Sequence, residues 1–163
     1  MTGEQWRETA FTIHVGATAA ILTEQASAAG GIVIRLPLAG VGTTDQLCDR
    51  IAQVFEFPFP SAGLDGALDL MSDLEWLDLG AGVLVVVDAR EARPTVLADL
   101  ASILPGVVDR WRSGDLPFVV AFEGLGEPGV VLEALATANA ALDEAGSLPW
   151  SQPGTGAVPV VTS

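Results

Sequence analysis

Short apolar runs alternate along this chain with stretches in which apolar residues recur every three or four positions, and that alternation predicts strands and helices in turn. Residues 32–36, Ile-Val-Ile-Arg-Leu, read as a strand, as do 83–87, Val-Leu-Val-Val-Val, and 118–122, Phe-Val-Val-Ala-Phe. The unbroken run at 83–87 fits the centre of a parallel sheet, where both faces of a strand are covered. Residues 11–15 are a candidate fourth strand. A helix is predicted over 18–28, closed by Gly30 and Gly31. A second starts at Thr43, whose partner Gln46 three residues on completes a capping box, with Leu47, Ile51, Val54 and Phe55 following at helical spacing. Pro58 and Pro60 break the chain, and Leu64, Ala67, Leu68, Met71 and Leu74 form the stripe of another helix. Pro94 opens a further helix carrying Leu97, Leu100 and Leu104, and Pro105 is expected to stop it and begin a separate one to about residue 113. A last helix is expected from Glu127 to about 145, and the Pro/Gly/Ser-rich stretch 147–163 reads as a mobile tail.

Strands alternating with helices predict an α/β layer fold around a three-stranded parallel sheet, with surrounding helices and room for the N-terminal strand. The expected organisation is a β-α extension over 1–31, a core domain over 32–122, a C-terminal helix over 123–146 and the tail. There is no internal repeat.

Composition narrows the chemistry. The formal charge is −14, from 21 acidic and 7 basic residues. Such a surface repels nucleic-acid phosphates and anionic membranes and attracts cations or basic proteins. Every basic residue is Arg; with no Lys and no Tyr, a P-loop lysine, a Schiff base and tyrosine acid/base chemistry are all excluded. Arg in place of Lys, with heavy use of Ala, Gly and Val, suggests a bacterial source. Cys48 is the single cysteine and suits a buried helix face. No basic leader and no run of about 20 apolar residues is present, so the expectation is a cytoplasmic protein.

The acids are unevenly placed. From Ile51 to Asp88 there are seven carboxylates and no Arg, and Asp65, Asp69 and Asp73 fall four residues apart. On a helix they form one stripe, and like charges at that spacing destabilise it by a few tenths of a kcal/mol per pair. Two readings stand level on the residues alone: a solvated acidic face, or a face that meets a basic protein, with Trp76 at its end. Pairing with a buried arginine such as Arg110 would instead make the stripe scaffolding. One helix face cannot wrap a metal ion, so no metal and no cofactor is expected. Gly40 to Thr44 could be offered as a phosphate cradle and Asp88 as a metal ligand, but the lysine is missing and the spacing fits no dinucleotide fingerprint. His14, the single histidine, reads as structural, and Asp88 as a strand-end turn or capping residue.

Taken together, the strand at 34–36, Thr44, the helix Leu-Cys-Asp-Arg-Ile-Ala-Gln-Val-Phe, the pair Phe57-Pro58, the segment Leu64-Asp65-Gly66-Ala67-Leu68-Asp69 and the ending Asp73-Leu74-Glu75-Trp76-Leu77 resemble the barstar family of intracellular ribonuclease inhibitors. The resemblance runs from about residue 32 to 122. It implies a barstar-like fold, no catalytic activity, and a basic, barnase-like ribonuclease as partner. It also implies that Asp65 and Asp69 enter the nuclease active site, with Asp109 assisting from a later helix. The implied contact set is Asp65, Asp69, Asp73 and Asp109, with Phe59, Leu68 and Trp76 beside them. Leu64 stands where many members carry Trp, and the loop 59–63 is shorter than usual. A different basic partner for the same fold is the alternative, and an acidic metal-dependent hydrolase built on Asp88 is a third reading.

Overall fold

A computed structural model of the protein describes residues 3–146 and 156–162. In chain order its elements are α1 (Gly3–Glu8), β1 (Ile13–Val15), α2 (Ala19–Ala29), β2 (Ile32–Pro37), α3 (Thr44–Val54), α4 (Gly63–Met71), β3 (Val83–Asp88), α5 (Pro94–Trp111), β4 (Phe118–Glu123), α6 (Gly129–Gly146) and β5 (Val160–Val161). The strands form one sheet in the order β2-β3-β4-β1-β5, every neighbouring pair parallel. In register, Ile34, Val85, Val120, Ile13 and Val160 make one row across all five.

The apolar run of β3 lies second in that order, with Val83 to Val87 fully buried. Side chains alternate between the two faces of a strand. Ile34, Leu36, Val83, Val85, Val87, Phe118, Val120 and Phe122 accordingly join the larger core with residues of α3, α4, α5 and α6. Leu84, Val86, Val119 and Ala121 face the other way, onto Trp6 of α1 and Ala19, Leu22 and Ala26 of α2. The indole N–H of Trp6 donates to the Ala81 carbonyl at 3.1 Å, which ties α1 to the start of β3.

Several sequence expectations hold. Thr43 Oγ1 accepts the Gln46 N–H at 3.2 Å, while Gln46 Oε1 accepts the N–H of Gly42 at 2.7 Å, one residue earlier than a strict capping box requires. Gly30 closes α2 at φ 84°, in the left-handed region where glycine has no Cβ to clash.

Other expectations are corrected. The sheet has five strands rather than three or four. Residues 160–161 pair with β1 instead of trailing as a tail, while 147–155 lie outside the described residues. Pro105 does not divide α5. The helix passes through it without the amide bond to the Ala101 carbonyl that proline cannot make. A proline in a helix interior is unfavourable by about 3 kcal/mol. Here Ile103, Leu104, Val107 and Val108 are all buried around it, and burying one such side chain contributes about 1.5–3 kcal/mol. Tertiary burial therefore keeps the helix whole.

Candidate protein-contact surface

α4 starts at Gly63, behind a loop that contains Pro58 and Pro60, and carries Asp65 in its first turn, where the helix dipole favours an acid. Its inner face buries Ala67 and Met71. Leu68 is half-buried and packs on α5 at Gly106, where an added Cβ would lie 3.0 Å from Leu68 Cδ1. The missing side chain at Gly106 is what lets the two helices come so close. With the apolar face set inward, Asp65 and Asp69 point to solvent.

Asp73 is not on this helix. α4 ends at Met71, Ser72 Oγ donates back to the Leu68 carbonyl at 2.7 Å, and the buried Leu74 turns the chain with φ 52°. A left-handed leucine has no sequence signature, because only glycine and asparagine adopt that conformation readily. The expected three-acid stripe is thus a helical pair, Asp65 and Asp69, followed by an exposed Asp73 in the turn.

The stripe also has a local cation. Arg110 of α5 donates from Nη1 to Asp69 Oδ1 at 2.6 Å, the two side chains being 52% and 67% exposed. The pairing raised by the sequence exists, but at the surface rather than buried, where such pairs contribute about 0–1 kcal/mol.

Trp76 is turned inward. Its indole N–H donates to the Phe55 carbonyl at 2.9 Å and its ring meets Phe57 edge-on at 5.9 Å. It binds the turn after α4 to the end of α3. Phe59 is 59% exposed, the most exposed large apolar side chain among the described residues. Asp109 is not brought to the stripe. Its carboxylate is 13% exposed, held by Arg112 Nη2, and accepts the N–H of Gly156 at 3.3 Å. Arg112 also donates to the carbonyls of Gly156 and Ala157. Asn139 makes two bonds to the Val158 backbone, at 3.0 and 2.7 Å. Asp109 therefore belongs to a clamp on the segment that leads into β5, a segment the sequence offered no reason to place there.

The remaining candidates are held within the fold. Asp88 closes a turn by accepting the backbone N–H of Arg90 at 3.1 Å, and the Arg90 guanidinium bonded to it keeps its carboxyl below the usual carboxylate range. His14 is 7% exposed, with Nε2 at 2.8 Å from Thr12 Oγ1, and burial pushes its pKa down. Cys48 is buried, and burial pushes its thiol up. Among the described residues no three His, Cys, Asp or Glu side chains gather as a metal site. No described helix is long and apolar enough to cross a membrane.

Comparison with solved structures gives only loose likenesses. A chain in the structure of Drosophila ORC bound to AT-rich DNA and Cdc6 aligns with 84% of this chain and 52% of its own length, at 14% identity and a TM-score of 0.43. One in the structure of Drosophila ORC bound to DNA aligns over 84% and 87%, at 13% identity and a TM-score of 0.41. The protein thus spans about half the length of the first of these, 52%. Alignments this loose bear on neither fold nor function. A search of curated proteins finds no match. The model of the family described as Barstar (barnase inhibitor) matches residues 32–123, which cover β2 through β4 together with the acidic helix. The match takes in more than half of the sequence, and the chain belongs to the barstar family.

Proposed function

We propose that this protein is a non-catalytic inhibitor that binds a small basic ribonuclease through the outer face of α4 and covers its active site. The observation that carries the reading is Asp65 and Asp69, exposed side by side on a helix inside the family-matched segment of a chain of net charge −14. A nuclease that handles RNA phosphates needs a cationic cleft, and two carboxylates about one helical turn apart can fill it. Complementary fields speed such an encounter and disfavour wrong partners. Asp65 and Asp69 would sit at the centre, Asp73 nearer the rim and Phe59 beside them as an apolar contact. Leu68 and Trp76 act by holding the surface in shape.

Titration calorimetry against barnase and other small basic ribonucleases, with RNA cleavage read in parallel, tests the proposal. The expected result is stoichiometric loss of cleavage with at least one of them. Asp69→Ala should weaken that complex by about 2–5 kcal/mol, a magnitude general to truncated charge pairs at interfaces, the founding pair of this family among them. Absence of binding across the panel, or equal affinity for wild type and Asp69→Ala, would overturn it. A second reading, the same face meeting a different basic protein, is favoured by one observation. The acid that the resemblance brings in from a later helix, Asp109, is held inside the fold.

A further inference from the structure

β1 and β4 lie side by side, but the chain leaves them towards opposite faces of the sheet. From β1 it passes into α2, which packs on Leu84, Val86, Val119 and Ala121. From β4 it passes into α6, whose Val131 and Leu135 join the core on the other face. Where two outgoing segments part in this way, a crevice opens outside the carboxyl ends of the strands, and that is where open α/β sheets bind their ligands. A cavity of about 580 Å³ lies there, inside the range of roughly 300–1,000 Å³ typical of small-molecule sites. Val15, Gly16 and Ala20 stand on one side of it, Glu123, Leu125 and Pro128 on the other. The first side lies outside residues 32–123, so the crevice is made where added segments meet the last strand of the family-matched part.

We propose that this crevice binds a small aliphatic amine as its cation, the ammonium donating to Glu123 and the hydrocarbon body lying on Val15, Leu125 and Pro128. Among the described residues that line the cavity, Glu123 carries the one polar side chain. Its carboxylate is 35% exposed, and Arg35 Nη1 stands 3.5 Å from Oε1, longer than a hydrogen bond. Arg90, whose charge also reaches Glu123, is held by both oxygens of Asp88, at 2.9 and 2.7 Å. The stem of Arg90 packs against Gly124, where an added Cβ would lie 2.4 Å from Arg90 Cγ, so this side of the crevice is fixed from behind. A carboxylate has room for about four donors. An incoming ammonium therefore adds to Arg35 and need not displace it. The net charge of −14 favours a cation over an anion of the same shape. The site is separate from the acidic face of α4 and does not depend on the reading given to that face.

The test is an amide NMR titration of the full chain with isoamylamine, and with isoamyl alcohol, isocaproate and leucine, which share its branched chain. Isoamylamine should shift the amides of Gly16, Ala20 and Gly124. It should bind about tenfold more tightly than the alcohol, the factor equivalent to a hydrogen bond to a charged group. Isocaproate should not bind. Glu123→Gln should remove the advantage of the amine over the alcohol, and Ala20→Phe, which fills the crevice from an exposed helix position, should abolish binding of both. Leucine identifies the source of the amine. Tighter binding than isoamylamine points to an amino acid, and weaker binding to a free amine; either result keeps the ammonium on Glu123. Equal binding of amine and alcohol, an unchanged affinity in Glu123→Gln, or the absence of any shift would overturn the proposal. So would shifts confined to Asp65 and Asp69, which would mark general attraction to the acidic helix.

Discussion

Asp69 and Asp109 are both aspartates paired with an arginine, yet their surroundings give them different work. Asp69 and its arginine stand in water, whereas Asp109 is 13% exposed and also satisfies a backbone amide. Asp69→Asn gives up an exposed ion pair and relieves the repulsion with Asp65, so urea unfolding should move by less than about 0.5 kcal/mol. Asp109→Ala strips Arg112 of its partner and loosens the segment at Gly156, and should cost about 1–3 kcal/mol. A large loss in the first variant would mark the stripe as scaffold. His14 supplies the pH dependence. Its native pKa lies below the ordinary 6.5, so the unfolded chain takes up a proton in a range where the folded one does not. Its contribution is therefore complete above pH 6.5 and declines as pH falls through that value. Relative to His14→Gln, wild type should lose more stability between pH 7.5 and 5.5 in denaturant titrations, and a parallel pair of curves would contradict the assignment. His14 read as structural in the sequence, but neither its burial nor the clamp role of Asp109 showed there, because burial and a partner far along the chain are properties of the fold.

At the scale of elements, four of the five strands and most helices were legible because each carries its own local signal. β3 announces itself by an unbroken apolar run, α3 by the Thr43 cap and α2 by Gly30. The misreadings fall where a distant contact overrides a local preference. Pro105 is a stop in isolation and an interior residue once both sides of α5 are covered. Leu74 extends the apolar stripe of α4 in projection, yet it is buried through a left-handed turn instead. The candidate site was legible in Asp65 and Asp69, which need only the helix period, and not in Arg110 as a surface partner, which needs the packing of α4 on α5. That packing is open to test at Gly106. Gly106→Ile would force its side chain into Leu68 and should destabilise the protein by about 1–3 kcal/mol through overpacking. Urea unfolding of the variant at wild-type stability would show that the close approach is unimportant.

For the whole molecule, the unanticipated part of the architecture is its far edge, where β1 lies between β4 and β5. The first strand in sequence thus has as its two neighbours the last two. This order sets a schedule for the growing chain. β2 and β3 can pair early, since only α3, α4 and their loops lie between them, but the backbone of Ile13 to Val15 has no partner until β4 exists and only one until residues 160–161 arrive. Contacts that join such distant segments form late and slowly. A newly made chain must therefore carry β1 unpaired until β4 has been made. Three residues, one of them a histidine, make a short and poorly adhesive edge, which limits the chance that two such chains find each other first.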